Sequence, residues 1–278
     1  MPNRNIILNS LQETFALIWK NKLLFVLLFI LQIIFFVILS LITYKYVPKM
    51  VESQKAIEDY MSSLKLDEPS VSSSILQQKS ILGDDPLMIS RNFNEIAKNF
   101  RIYLIYVFIL MIIFISTAWS ITNKMINKNN FKQSAKNFLK ISVVLLFYLG
   151  LIFAFFFSLL NISFTEIAAD GKNIITKYII FLLVSIALAY FMFISLSLTY
   201  RIEFKNIVQK TLSVGIKKIH YIFLVYFINI FLFIIAIILL YYFIEKNLFI
   251  LLFSLILMIF SFIFGRIFII NVVEKLEN

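Results

Sequence analysis

Cysteine is absent from this chain, and histidine occurs once, as His220. The first absence removes disulfides, thiolate nucleophiles and Cys-ligated zinc or iron–sulfur centres together. The second leaves a lone imidazole, whereas metal sites and catalytic triads need partners, and none is near it in sequence. His220 therefore reads as an interfacial anchor. Glycine is scarce, five in 278 residues, and nowhere forms the loop that cradles a nucleotide phosphate. Neither ATP hydrolysis nor any cofactor or metal is expected. Asp67, Glu68, Asp84 and Asp85 lack the glycine-containing pattern of a calcium loop and read as helix caps and solvated loop.

Charge is scarce where apolar residues are dense. Hydrophobic residues make up 61% of the chain and include 32 Phe and 13 Tyr, more apolar surface than one globular core can bury, while lipid accepts it directly. Six spans follow, at about 23–44, 102–122, 141–165, 178–200, 221–244 and 248–268. None contains proline. The sixth is free of charge only as far as Gly265, yet at 1.5 Å per residue that run already covers about 27 Å, and Arg266 is expected to snorkel to the interface. Open strands leave backbone groups unpaired in lipid and the runs lack a barrel's alternation, so all six are expected to be helices. The first is too long for a cleavable signal peptide and has no small-residue cleavage site after it, so it is expected to remain as an anchor.

Charge placement orients the spans. With the N-terminus inside, the inner segments hold fifteen basic and four acidic residues, an excess equal to the whole net charge of +11. The loop 123–140 alone carries five lysines and no acid. Lysine and arginine resist translocation, which places both termini in the cytoplasm of a cell membrane. The basic balance thus reads as orientation and attraction to anionic headgroups at the cytoplasmic face, with no nucleic acid as partner. Trp19, Tyr44, Tyr178, Tyr200, Tyr221, Tyr241 and Tyr242 fall near span ends, as an aromatic belt requires.

Between spans, residues 45–101 form the one sizeable extracytoplasmic loop. Met50, Val51, Gln54, Ile57, Tyr60, Met61 and Leu64 recur at helical spacing after Pro48. Asp85 and Pro86 open a second helix carrying Ile89, Phe93, Ile96 and Phe100, which is expected to run into the second span. Together they predict a helical hairpin on the outer surface. Three amphipathic segments precede the first, third and fifth spans: Ile7, Leu11, Phe15 and Ile18; Phe131, Ala135, Phe138 and Leu139; and Phe204, Ile207, Val208, Thr211 and Leu212. They predict interfacial elbows, and with them a threefold repeat of elbow plus hairpin. The fold class is all-α: a polytopic helical membrane protein, one six-span domain over 1–278, with cytoplasmic elbow helices.

The opening Ser10, Leu11 and Phe15, then Ile18-Trp19-Lys20-Asn21-Lys22 before an apolar run, resembles the start of a group of prokaryotic six-span proteins. That group includes the membrane domain found beside glycerophosphodiester phosphodiesterases. The resemblance covers the hydropathy plan of most of the chain and implies a six-span fold. The phosphodiesterase barrel is missing, so it implies no catalytic residue. The N-terminal elbow and six spans are also similar to permease subunits of ABC exporters, although the last outer turn, Glu245-Lys246-Asn247, is shorter than theirs.

Ionisable residues are missing from the middle of every span, which argues against a proton relay. The most polar groups at depth are Gln32, Asn161 and Asn229. They are the candidate intramembrane polar sites, against the simpler reading of interhelical hydrogen bonds. The function expected is a non-enzymatic membrane component, a scaffold or lipid-handling protein, in contact with the bilayer and with a protein partner or a second copy of itself. The alternative is a permease subunit for an apolar or amphiphilic substrate, driven by a separate ATPase.

Overall fold

The computed structural model describes residues 6–63, 87–127, 131–160, 171–243 and 247–277. Those residues are helical almost throughout, in eight helices with no strand among them. In chain order they are α1 (Ile6–Lys20), α2 (Lys22–Ser63), α3 (Leu87–Asn127), α4 (Phe131–Leu160), α5 (Gly171–Leu198), α6 (Phe204–Lys217), α7 (Ile219–Phe243) and α8 (Leu248–Glu277). Six of them, α2, α3, α4, α5, α7 and α8, are long and apolar enough to cross a membrane. In hydrocarbon a helix satisfies its own backbone, which is why such uninterrupted apolar runs take this form. Asn247 starts α8: its side-chain oxygen accepts from the N–H groups of Phe249 and Ile250 at 2.9 and 3.2 Å.

The helix that was expected to begin after Pro48 is not separate. α2 runs unbroken through Pro48 for 42 residues, about 63 Å of helix, twice the roughly 30 Å of hydrocarbon. The proline removes the bond to the Tyr44 carbonyl. Tyr44 and Pro48 are both exposed, so the freed carbonyl sits on an open face of the helix. The helix of Ile89, Phe93, Ile96 and Phe100 does run into the second span, as the single helix α3.

The chain divides into two compact units, 36–110 and the remainder. In the first, the inward residues of α2 are Thr43, Tyr46, Met50, Ser53, Ile57 and Tyr60, and those of α3 are Ile89, Phe93, Ile96, Phe100, Tyr103, Val107 and Leu110. Both sets step alternately by three and four residues, the spacing that keeps one stripe of a helix facing a partner. Tyr46 stacks on Tyr106 with ring centroids 5.8 Å apart, and the Thr43 and Tyr103 hydroxyls lie 3.4 Å apart. Val51, Gln54 and Met61, which the helical spacing grouped with this face, are exposed, and Leu64 lies outside the described residues. Asp67, Glu68, Asp84 and Asp85 lie outside the described residues.

In the second unit α8 is the hub. Every residue from Ile263 to Val273 is buried except Arg266, so this stretch has neighbours on all sides. It packs most extensively on α7, and also on α1, α5 and α6. Phe264 stacks between Phe260 and Phe268 within α8, at 5.7 Å each, and meets Phe15 of α1 at 5.2 Å. At the other extreme, only 6% of the apolar window of α2 is buried, against 33% for α8.

Two of the three elbows are separate helices, α1 and α6, and each has two working faces. α1 buries Ser10 and Thr14 against α8 and exposes Leu8, Phe15 and Trp19. α6 buries Ile207, Thr211, Val214 and Gly215 and exposes the stripe Phe204, Val208, Leu212 and Ile216. Its contacts run back along α5: Thr211 meets Ser195, and a Cβ on Gly215 would stand 2.9 Å from the Phe191 ring. The second elbow does not exist as a separate element. Residues 131–140 are the first turns of α4, because no residue there breaks the helix as Asn21 and Lys218 do at the other two joints. The threefold repeat is broken at this point.

Candidate functional site

Where α1 meets α2, α3 hands over to α4, and α5 turns into α6, polar contacts close a circuit around one end of this unit. The Asn21 amide donates to the Met125 carbonyl at 3.3 Å, tying the α1–α2 joint to the end of α3. Ser120 donates to the Ser134 carbonyl at 3.0 Å, joining α3 to α4. Lys140 of α4 reaches the Ile202 carbonyl in the α5–α6 turn at 3.5 Å. Arg201 beside it pairs with Glu274 of α8 at 3.0 Å, and Lys275 pairs with Glu13 of α1 at 2.8 Å, which completes the ring. Beneath that last pair, Asn271 donates to the Thr14 hydroxyl at 2.9 Å, and Thr14 donates to the Ser10 carbonyl at 2.7 Å. Of the charged members, Glu274 is the best covered, with 13% of its side chain exposed, so its pairing is screened less than that of a surface bridge.

Just inside this ring, one turn of α8 gathers two of the three polar residues singled out from sequence. Asn229 of α7 lies against Gly265, its amide nitrogen 3.4 Å from the glycine carbonyl, while its Oδ1 is buried without a partner. Gln32 of α2 lines a cavity of about 40 Å³ whose other walls are Leu31, Phe35, Phe114, Ile115, Ala118 and Arg266. Gly265 and Arg266 are adjacent and so point about 100° apart, which places Asn229 and Gln32 on different sides of the same turn. Asn161 lies outside the described residues.

Arg266 is the residue whose role the sequence misplaced. It was expected at the interface, but the structure puts it in the wall of the cavity that Gln32 also lines, with Nη1 buried and without a hydrogen bond. Side chains on a helix lean toward its N-terminus, here away from the polar ring, and the buried neighbours on either side leave Arg266 only partly exposed. Among the described residues it forms no ion pair. The available signal was a cation inside a helix whose apolar character resumes for seven residues after it, from Ile267 to Val273 with Asn271 the one interruption. His220 is exposed next to Tyr221, with ring centroids 4.2 Å apart. Trp19, Tyr44, Tyr178, Tyr241 and Tyr242 are exposed, as a belt requires, whereas the Tyr200 hydroxyl is turned inward and buried.

The close fit at Gly265 sets a measurable expectation. A methyl group there would stand 3.0 to 3.2 Å from three side-chain atoms of Asn229, tighter than ordinary van der Waals contact. Gly265→Ala should lower thermal stability by about 1–3 kcal/mol, the usual range for overpacking, and Asn229→Ala in the same chain should restore most of the loss. Melting of the purified variants in detergent checks this, and an unchanged midpoint for Gly265→Ala would show that the amide simply moves aside.

Six apolar helices, two short two-faced helices and a closed polar ring at one end define a polytopic helical membrane protein. Comparison with family models, with curated proteins and with solved structures finds no match to the chain.

Proposed function

We propose that the protein is a non-enzymatic component of the cell membrane that scaffolds partners or handles lipid, with the polar ring and both termini at the cytoplasmic face. The observation that carries this reading is how its polar groups at depth are used. Tyr148, Ser195 and Thr211 form a hydroxyl chain joining α4, α5 and α6, with both steps 3.0 Å. Ser142 donates to Ser116 at 2.9 Å, Tyr226 to the Tyr190 carbonyl at 2.9 Å, and Tyr190 to the Gly215 carbonyl at 2.7 Å. Each of these bonds joins two helices, the use expected of polar groups that hold a bundle together in lipid; Gln32 and Arg266, which share a cavity, are exceptions. Outward, the same helices are apolar, and the exposed stripes of α1 and α6 add two surfaces suited to the headgroup boundary. Lys205, Lys210 and Lys217 on α6 would face anionic headgroups from the cytoplasmic side.

The test is purification of the intact protein in mild detergent followed by mass spectrometry of what stays with it. Membrane lipid and envelope proteins are expected to co-purify, with no ATPase in fixed proportion. A stoichiometric ATPase would overturn the proposal and select a permease subunit instead.

A further inference from the structure

We propose that the cavity between α2, α3 and α8 is a binding site for the phosphate of an anionic phospholipid, held by Arg266 and Gln32. A guanidinium keeps its charge in any protein setting, so the group cannot escape burial by losing a proton. Arg266 lies eight residues before Glu274, about 12 Å along α8 from the ionic ring toward the apolar interior. An unpaired cation at such depth is costly, and here one of its N–H-bearing nitrogens is buried with no acceptor. Gln32 likewise makes no hydrogen bond to any described residue, and its amide shares the cavity with Arg266. The two side chains together offer a charged donor and a neutral donor to one set of oxygens, the chemistry that recognises an oxyanion.

The remaining walls say which oxyanion. Leu31, Phe35, Phe114, Ile115 and Ala118 are apolar and would not replace the water shell of a free ion. Little of α2's apolar length is buried, and Ile33 and Ile34, next to Gln32 in α2, and Ile113, next to Phe114 in α3, are exposed. A lipid reaches such a site from the bilayer, with its chains along those isoleucines and only its head oxygens inside. The volume of about 40 Å³ agrees with this, since it admits roughly three water-sized groups and not a whole headgroup. Bilayer entry by an anionic amphiphile fits these walls better than entry of inorganic phosphate from water.

This site rests on the reading of the chain as a membrane component that handles lipid, and its test can fail independently of that reading. The full-length protein is equilibrated with vesicles of equal parts phosphatidylglycerol and phosphatidylcholine. It is then extracted, and the retained lipid is measured by native mass spectrometry alongside the melting temperature. The expected result is retention of phosphatidylglycerol over phosphatidylcholine by about tenfold: both carry the phosphate, but choline's quaternary ammonium would bring a second cation beside Arg266, a repulsion of at least about 1 kcal/mol. Arg266→Gln should abolish the preference, Arg266→Lys should keep part of it, and Gln32→Leu should reduce it. Ala118→Leu, which fills the cavity without touching either polar group, should also abolish it and serves if Arg266→Gln does not fold. A preference unchanged in both Arg266→Gln and Ala118→Leu would overturn the site. So would inorganic phosphate raising the melting temperature as much as phosphatidylglycerol does, since the source would then be the solvent. Equal retention of the two lipids by the parent protein would overturn the site as one for anionic lipid, and would leave the scaffold reading standing.

Discussion

A single cysteine at position 209 should resist an impermeant maleimide in intact cells and react once the cells are opened, while one at position 73 should react in both. Gln209 is exposed on α6 beside Lys210 and Lys205, in the polar end proposed to be cytoplasmic, so its side chain is available wherever that end lies. The orientation follows from charge. Fifteen of the 26 basic residues fall on the side of residue 209 with only four acids, and lysine-rich short loops are the least readily translocated segments of a membrane protein. With no native cysteine, the background is zero and the contrast between the two sites should be nearly complete. Labelling at 209 without opening the cells would reverse the proposed topology.

Truncating Phe264 should cost more stability than any lipid-facing change of the same size. The ring is 2% exposed and touches Phe15, Phe260 and Phe268, so its loss opens space at the hub and loosens α1 together with it. In a soluble core Phe→Ala costs about 3–5 kcal/mol, part of it the transfer of the ring from water. Lipid is as apolar as the protein interior, so that part is small here. What remains is the cavity: roughly 100 Å³ at about 24 cal/mol per Å³, near 2.4 kcal/mol, with about 0.5–1.5 more for the lost aromatic contacts. Phe249→Ala, at a position 84% exposed, is the control and should be close to neutral. Unfolding in a graded denaturing detergent measures both. Equal midpoints for the two variants would remove α8 from the centre of the fold.

Much of the architecture was legible because lipid imposes simple rules. The absence of charge over bilayer-length runs marked all six long helices. Pro48 misled, since a proline usually ends a helix; here the carbonyl it frees lies on an exposed turn, so the helix continues. Two of the three elbows were legible as amphipathic segments, but the division of their apolar residues was not. Ile207 and Val208 of α6 look equivalent in sequence, yet one is buried against protein and the other exposed. The centrality of α8 left no pattern, because a lipid-facing and a protein-facing surface are both apolar and periodicity then carries no information. Gln32 and Asn229 were found as isolated polar residues in apolar runs, and only the fold could show that they flank one turn of α8. Arg266 was visible but read as part of the boundary, although the apolar run that resumes after it, from Ile267 to Val273, was a signal that the helix continues to pack there.

The position of the hub in the chain has a consequence for biogenesis. α8 follows the other seven helices in order, so a ribosome delivers it after them, and at about 5–20 residues per second the earlier spans wait for it to emerge. Until then α1, α5 and α7 are already made while the surface they will share is missing, and Asn271 is not yet present to meet Thr14. Insertion and assembly are therefore separated in time. The bilayer must shelter unpaired helices, and a nascent chain halted before residue 263 would be inserted without having acquired its interior.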